Sequence, residues 1–477
     1  MPTSKNEKYV ILISITIGIF LMGYWLFYNP VKDFKKSVPG MDNRPDSITG
    51  SNQIVVIGET FIRFTEDTTS KPSGSWTRFR GADFDNINKE TTKLIDKFPK
   101  DDPNILWEIN LGEGHAAPAV YNGKVYILDY LEEEKADALR CFSLNTGKEL
   151  WQRKYSVHVK RNHGMSRTIP AVNEDYIVTI GPLGHVMCCN PNNGDFYWGI
   201  DLVKDYNTDI PFWYTGQCPL IDGDTAIIAP GGTSLLIAVN CKTGKVIWDT
   251  PNPDNWGMSH SSIMPMILEG KKMYVYAAIG GICGISAEGN NKGSILWKLT
   301  DFNPNVVAPS PLILENGKIF LTAGYGAGSI FFKVEKVNNS YTPTVLQQYK
   351  PKDGIASEQQ TPITFDGHIF TILPKDAGSN RNQFVCCSTD NCEEIIWTSG
   401  TSERFGLGPY VVANNKFFIL KDDGTLSIAK ASTKEFTLLD KRKIMDGHDA
   451  WGPIAIVDGK LIMRDSKKMI CLDILEH

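Results

Sequence analysis

The chain has 477 residues, 42% hydrophobic and 22% charged, with a formal net charge of −5. That balance is too apolar for a disordered chain, and without clustered Lys and Arg it carries no nucleic-acid footprint, so no nucleic-acid partner is expected. The acidic excess is mild and points to no partner of its own.

After a short tail (residues 1–8), residues 9–28 run YVILISITIGIFLMGYWLFY without a charge. About 20 apolar residues cross a hydrocarbon core of roughly 30 Å as a helix. The stretch is longer than the core of a cleaved leader and no small-x-small site follows, so an uncleaved membrane anchor is expected. No cysteine precedes Cys141, which argues against a lipid-modified cysteine at the membrane end. Lys5 and Lys8 precede the span and Lys32, Lys35 and Lys36 follow it, so flanking charge assigns no side. Between the span and the repeats lie residues 29–75, of which 37–75 are rich in Ser, Thr, Pro, Asp and Gly, with one β-like run, IVVIGETFIRF (54–64). They read as a linker with a small ordered patch, letting the rest of the chain stand off the membrane.

From residue 76 the chain repeats. Pro118, Pro170, Pro219, Pro265, Pro311, Pro362, Pro409 and Pro453 each open an apolar run, at spacings of 44 to 52 residues. That is the period of a four-stranded propeller blade rather than of a helical solenoid. Turns such as YNGK (121–124) and VDGK (457–460) follow, then hairpins such as LNTGKELW (144–151) and VNCKTGKVIW (239–248), with Gly where a tight turn needs positive φ. Trp107, Trp151, Trp198, Trp248, Trp297 and Trp397 close one blade each, with Leu346 and Leu438 expected at the two remaining beats. Six of the 11 tryptophans thereby gain a packing role between blades. The first closing strand (104–111) precedes every proline, and the last proline has too few strands after it. Residues 468–475 should therefore lie beside 104–111 and close the ring, removing its exposed edges. The expected fold is all-β: an eight-bladed β-propeller of four-stranded blades over residues 76–477, joined to a transmembrane helix.

WTRFRGADFDNINKE (76–90), followed by ILWEINLGEGHAAPAVYNGKVYILD (105–129), resembles the opening of the PQQ-like propeller proteins, and the strand–TG–W hairpins extend the resemblance over roughly residues 76–477. That superfamily includes quinoprotein alcohol dehydrogenases and non-catalytic scaffolds of the BamB type. For an enzyme the resemblance implies pyrroloquinoline quinone held by a stacking tryptophan and a vicinal disulfide. It also implies a calcium ion with Glu, Asn and Asp ligands, beside a catalytic Asp.

In a propeller the loop from the outer strand of one blade to the inner strand of the next reaches the mouth of the channel. Those loops hold His115, His163, Arg167, Trp213, Gln217, Trp256, His260, Glu358, Gln359, Gln360, Arg404, His448, Asp449 and Trp451. Four of the 8 histidines fall here, and a funnel of His, Trp, Arg and amide groups suits an anionic or aromatic ligand. No metal site is expected, since the histidines come from different blades and no H-x-x-x-H or C-x-x-C pair occurs among them. The Glu–Asn–Asp calcium set does not carry over residue by residue; Asp449 and Glu358 are the only acidic nominees, and no catalytic residue is assigned beyond Asp449 as a weak candidate. Cys188–Cys189 and Cys386–Cys387 are vicinal, but Cys141, Cys188 and Cys387 stand 10 positions before a blade tryptophan, as Ala238 does. Strand neighbours point to opposite faces, so buried structural thiols are expected rather than a vicinal disulfide. Trp76 and Phe79 are expected to clamp their segment to the ring, with Arg80 paired to a carboxylate or to backbone carbonyls.

Together these features point to a membrane-anchored, non-catalytic binding or assembly scaffold of the envelope, with an extracytoplasmic (periplasmic) ring as the resemblance implies. Its partners would be envelope proteins or a small molecule at the mouth, with no cofactor. The alternative is a quinoprotein oxidoreductase acting on alcohols or sugars with pyrroloquinoline quinone and calcium.

Overall fold

The computed structural model describes residues 4–28, 55–66, 74–100 and 103–476, so most of the expected linker lies outside the described residues. By contacts the chain forms two units, residues 1–51 and 52–477. The described part of the first is one helix, Lys5–Phe27, of 23 residues, about 34 Å long at 1.5 Å per residue. Ser4 caps it: its Oγ accepts from Glu7 N (3.3 Å) while Glu7 Oε2 accepts from Ser4 N (2.7 Å). Beyond its charged first turn the helix is apolar, and it is long enough to cross a bilayer.

The second unit is the propeller. There are eight sheets, and in blades 1 to 7 four strands consecutive in the chain run from the channel outward. Blades 1 to 7 cover residues 119–156, 171–201, 220–251, 264–299, 312–349, 363–398 and 410–443. Each expected proline stands at or just before an innermost strand, an edge position where a missing N–H costs no ladder bond. Blade 8 takes three strands from residues 455–473 and its outermost strand from Ile105–Asn110, which pairs antiparallel with Lys468–Asp473. The ring closes by the expected pairing. The β-like run of the linker contributes Thr60–Arg63, a fifth strand on the outer edge of blade 1.

The tryptophans stitch neighbouring blades. The Nε1 of Trp107 donates to the Leu144 carbonyl, that of Trp198 to Cys241, and that of Trp397 to Ser432, each acceptor lying in the next blade's hairpin. Gly147, Gly244 and Gly293 lie flat against Trp107, Trp198 and Trp248, where a side chain would collide with the ring. A small residue faces each tryptophan across its own blade: Cys141 faces Trp151, Cys188 faces Trp198, Ala238 faces Trp248, Gly284 faces Trp297, and Cys471 faces Trp107.

Three expectations need correction here. A β-bulge sits one residue before the tryptophan position. In blades 5 and 7 that position is therefore held by Gln347 and Asp440, with Leu346 in the bulge and Leu438 two residues earlier. Cys386, not Cys387, faces Trp397, because the blade 6 hairpin is one residue longer. All ten cysteines are buried thiols. Cys188 and Cys189 point into different inter-blade cores, and so do Cys386 and Cys387, as strand alternation requires.

The segment after residue 74 enters the channel and stoppers it. Trp76 bridges to Val120 of blade 1, and Val172 N of blade 2 donates to the Thr77 carbonyl. Arg78 donates to Ile221 O of blade 3 (3.0 Å). Asn86 and Asn88 donate to Tyr410 O and Ile456 O of blades 7 and 8, and Ile87–Asn88 pairs parallel with the inner strand of blade 7. Arg80 is buried, its guanidinium donating to the carbonyls of Phe84 (2.8 Å), Asp85 (3.2 Å), Thr361 (2.8 Å) and Pro362 (2.9 Å). The clamp thus uses backbone carbonyls and reaches six blades.

Candidate functional site

Above this plug, on the side of the proline loops, lies a cavity of about 110 Å³. Its walls are His115, Arg167, Ile169, His260, Ser262, Gln359, Gln360 and Trp451, and Phe79 of the plug reaches it from below. A ladder of hydrogen bonds between blades fixes the wall. The amide of Cys218 donates to Ser262 Oγ (3.0 Å), that of Ser262 to Ser310 Oγ (2.8 Å), and that of Ser310 to Thr361 Oγ1 (2.8 Å). Small polar residues stand there because the neighbouring blade's amide has no strand partner.

His115 is 8% exposed, stacks on Trp451 (centroids 4.9 Å apart), and has its Nε2 3.1 Å from the His163 carbonyl. The backbone of Asp449 also engages the ring, and Nδ1 is fully buried. Arg167 Nη2 donates to the carbonyls of Asn162 (3.1 Å) and His163 (2.6 Å), while its buried Nε has no partner. Burial lowers the Arg167 guanidinium to about 10, opposed by Tyr325, Tyr214 and Glu113. It remains a cation at neutral pH. Burial and the Arg167 charge push His260 down to about 3, and burial, Arg167 and Arg464 hold His115 well below the usual imidazole range. Both rings are neutral. His260 packs edge-on against Trp213 (6.3 Å), and its Nε2 is also without a partner.

The structure gathers His115, Arg167, His260, Gln359, Gln360 and Trp451 from the expected set. Gln360 Nε2 donates to the Trp451 carbonyl (3.0 Å), and Trp451 Nε1 to Asp422 (3.0 Å). Trp213 stands behind His260, stacked on Tyr325 (5.6 Å). The other expected residues lie outside the cavity wall. Gln217 is buried with both amide ends spent on Ala229, and Trp256 packs on Gly280 and Gly281 in blade 4 beneath Lys298. Glu358 is buried and paired with Lys375 (3.3 Å), with its carboxyl pushed up by burial. The His163 imidazole is exposed, Arg404 binds the carbonyls of Ser379 and Arg381, and His448 pairs with Asp449 (2.9 Å) at the surface.

Phe79, Ile169, Ser262 and Thr361 are among the wall residues that the loop positions alone did not suggest, although Phe79 stood in the expected clamp. A second polar cluster also escaped notice, between blades 1 and 2. Tyr155 OH donates to Asp137 (2.7 Å), and the His185 ring meets Tyr155 edge-on (5.4 Å). Burial raises Asp137 to about 7, partly offset by the Tyr155 hydrogen bond. An acidic residue inside the apolar run ADALRCFS was its signal.

The cavity does not fit pyrroloquinoline quinone with calcium. Calcium takes 6–8 oxygen ligands including carboxylates, whereas this wall is a guanidinium, two imidazoles, amides and hydroxyls. Among the described residues no group of three or more His, Cys, Asp or Glu is placed to hold a metal ion.

Eight four-stranded blades, tryptophan stitches and a ring closed by strands from both ends define a PQQ-like β-propeller. The family model described as outer membrane protein assembly factor BamB matches residues 97–210 and 135–370, together more than half of the chain, and the chain belongs to that family. Among solved structures, BamB from Moraxella catarrhalis is similar at a TM-score of 0.51 and 11% identity, over 77% of this chain and 99% of that one. A europium-containing methanol dehydrogenase is similar at a TM-score of 0.52 and 11% identity, over 84% of this chain and 89% of that one. The computationally designed protein Ika8 gives 0.51 and 12%, over 77% and 99%. At such identities the likeness is one of fold. No curated protein matches the sequence.

Proposed function

We propose that this protein is a non-catalytic binding or assembly scaffold of the cell envelope. In this reading residues 9–28 anchor it in the membrane, 29–75 are the linker, and the ring of 76–477 stands on the extracytoplasmic side. The observation that carries the proposal is the stoppered channel. Segment 76–88 spends its polar groups on inner strands of six blades, so the axis is filled by the chain itself. Membership of a family described by an assembly factor supports protein partners in the envelope. A ring of short, tightly stitched blades then works through its outer faces and loops.

The test has two arms on the full chain in detergent and in its native membrane. Calorimetry with pyrroloquinoline quinone and calcium is expected to give no binding. Photo-crosslinkers placed around the loop face are expected to capture the same few envelope proteins from neighbouring positions. Stoichiometric quinone binding with alcohol-dependent dye reduction would overturn the scaffold.

A further inference from the structure

The plug walks round the channel by one kind of backbone contact. In each blade one inner-strand residue, two or three positions after its proline, turns its N–H and C=O away from its own hairpin and toward the axis. Five of these eight positions are spent on segment 76–88. Val120 exchanges both bonds with Trp76, Val172 N donates to the Thr77 carbonyl, and Ile221 O accepts from Arg78. Val412 N donates to the Asn86 carbonyl, and Ile456 O accepts from Asn88 Nδ2. All five residues are 0–4% exposed. The equivalent positions in blades 4, 5 and 6 are Ile267, Ile313 and Thr364, and among the described residues their axis-facing backbone groups meet no partner. Arg80 meets blade 6 only through Thr361 and Pro362, before that strand begins. Ile267 is 72% exposed, more than any other large apolar side chain described outside the N-terminal helix, and Ile313 and Thr364 are half-buried. Its strand, Met264–Leu268, is the longest inner strand of the ring.

A recess of about 480 Å³ opens between blades 5 and 6 beside the last two of these positions, walled by Ile313, Leu314, Thr364 and Phe365. Charges that flank the row are paired within the ring, Lys272 with Asp222 (2.5 Å) and Lys318 with Asp390 (2.7 Å), so they call for no ion. Unpaired N–H and C=O groups on a strand edge are matched by another main chain, and exposed β-branched side chains by apolar ones. We propose that the inner strands of blades 4 to 6 form a docking groove for an uncharged, extended segment of a protein partner. The segment continues the walk of the plug: three successive residues meet Ile267, Ile313 and Thr364, as Trp76, Thr77 and Arg78 meet blades 1 to 3. What fills the same positions on the other five blades is peptide, which is why peptide is the occupant here. This inference rests on the scaffold reading and names a surface through which the scaffold holds a partner.

The experiment uses the full chain in its native membrane, with a photo-crosslinking residue placed singly at Ile267, Ile313 and Thr364, and at Val246 on the outer strand of blade 3 as control. Adducts from the three groove positions are expected on one protein, within one stretch of about ten residues, in an order that follows the blades. A synthetic peptide of that stretch is expected to bind the full chain in detergent at one site and to slow exchange of the Ile267 amide roughly tenfold or more. N-methylation of its alternate amides should weaken binding roughly 5- to 150-fold, the worth of two main-chain hydrogen bonds. The peptide comparison leaves the ring unaltered, so it reads the groove even if a substitution at Ile267 disturbs the fold. Adducts scattered over unrelated segments, or none beyond those from Val246, overturn the groove, and so does undiminished binding of the N-methylated peptide. If crosslinkers on the loop face capture envelope proteins while these three do not, the groove fails and the scaffold reading stands; if neither set captures any, both fail.

Discussion

Arg80→Ala is the sharpest test of the plug. The guanidinium donates to four carbonyls, two in its own segment and two in the loop that enters blade 6. Hydrogen bonds from a charged donor are worth about 1.5–3 kcal/mol each, which summed naively gives roughly 6–12 kcal/mol. Burial opposes this, and it lowers the Arg80 guanidinium to about 10. With a desolvation penalty of several kcal/mol set against the bonds, the net loss is about 3–5 kcal/mol. At about 1.4 kcal/mol per decade, local opening of the plug should rise by roughly two to three and a half decades. Hydrogen exchange on the full chain reads this directly. The amides of Asn86, Val172 and Val412, bonded to the carbonyls of Arg80, Thr77 and Asn86, should exchange faster, while those of Thr225–Ile228 in blade 3 should not change. Arg80→Lys should fall between the two, since an ammonium cannot span both carbonyl pairs. A change below about tenfold at residues 76–88 in Arg80→Ala would refute the idea that this side chain holds the plug.

Three further outcomes follow from the same structure. Asp137 sits at about 7 when folded, against about 3.9 unfolded, so between those values the folded state keeps a proton that the unfolded chain has released. Its contribution is therefore fully present below about pH 4 and is lost as pH rises to about 7, by about 1.4 kcal/mol per unit. Asp137→Asn should melt above the parent at pH 8 and converge with it at pH 4; parallel curves would contradict the assignment. Burial pushes Cys189, Cys283, Cys386 and Cys471 up to about 12. A thiol-specific disulfide reagent should therefore leave the native protein unmodified and titrate ten thiols after unfolding. Gly244 has φ +72 with a Cβ position 2.7 Å from Trp198, whereas Gly223 has φ +59 with open space around it. Gly244→Ala should cost about 2–4 kcal/mol and Gly223→Ala about 1, compared by melting midpoint.

The period of the prolines, the TG hairpins and the odd strand at 104–111 made the blade count and ring closure legible, because all three are local patterns repeated along the chain. The tryptophan beats were legible for the same reason. Leu346 and Leu438 misled because a bulge shifts register by one residue, and in blades 5 and 7 the positions that carry tryptophan elsewhere hold Gln347 and Asp440. Of the site, the loop positions were readable but the direction of each side chain was not. Gln217 and His115 both precede a proline by two or three residues, yet one turns back on its own blade and the other into the axis. The plug was readable as a clamp and unreadable as a stopper, because Arg80 bonds to carbonyls 281 and 282 residues away. Backbone acceptors leave no trace in residue identity.

The seam in blade 8 has a consequence for how the molecule is made. Glu108 and Lys468, joined across that seam, are 360 residues apart. A strand that emerges early from the ribosome must therefore wait, unpaired, until nearly the whole ring has been synthesised. Contacts of such long range are formed late and slowly, and each unfinished blade meanwhile exposes a strand edge. Maturation of this protein is then a race between closing the seam and pairing with the wrong neighbour, so holding its growing chain apart from others during synthesis favours a high yield.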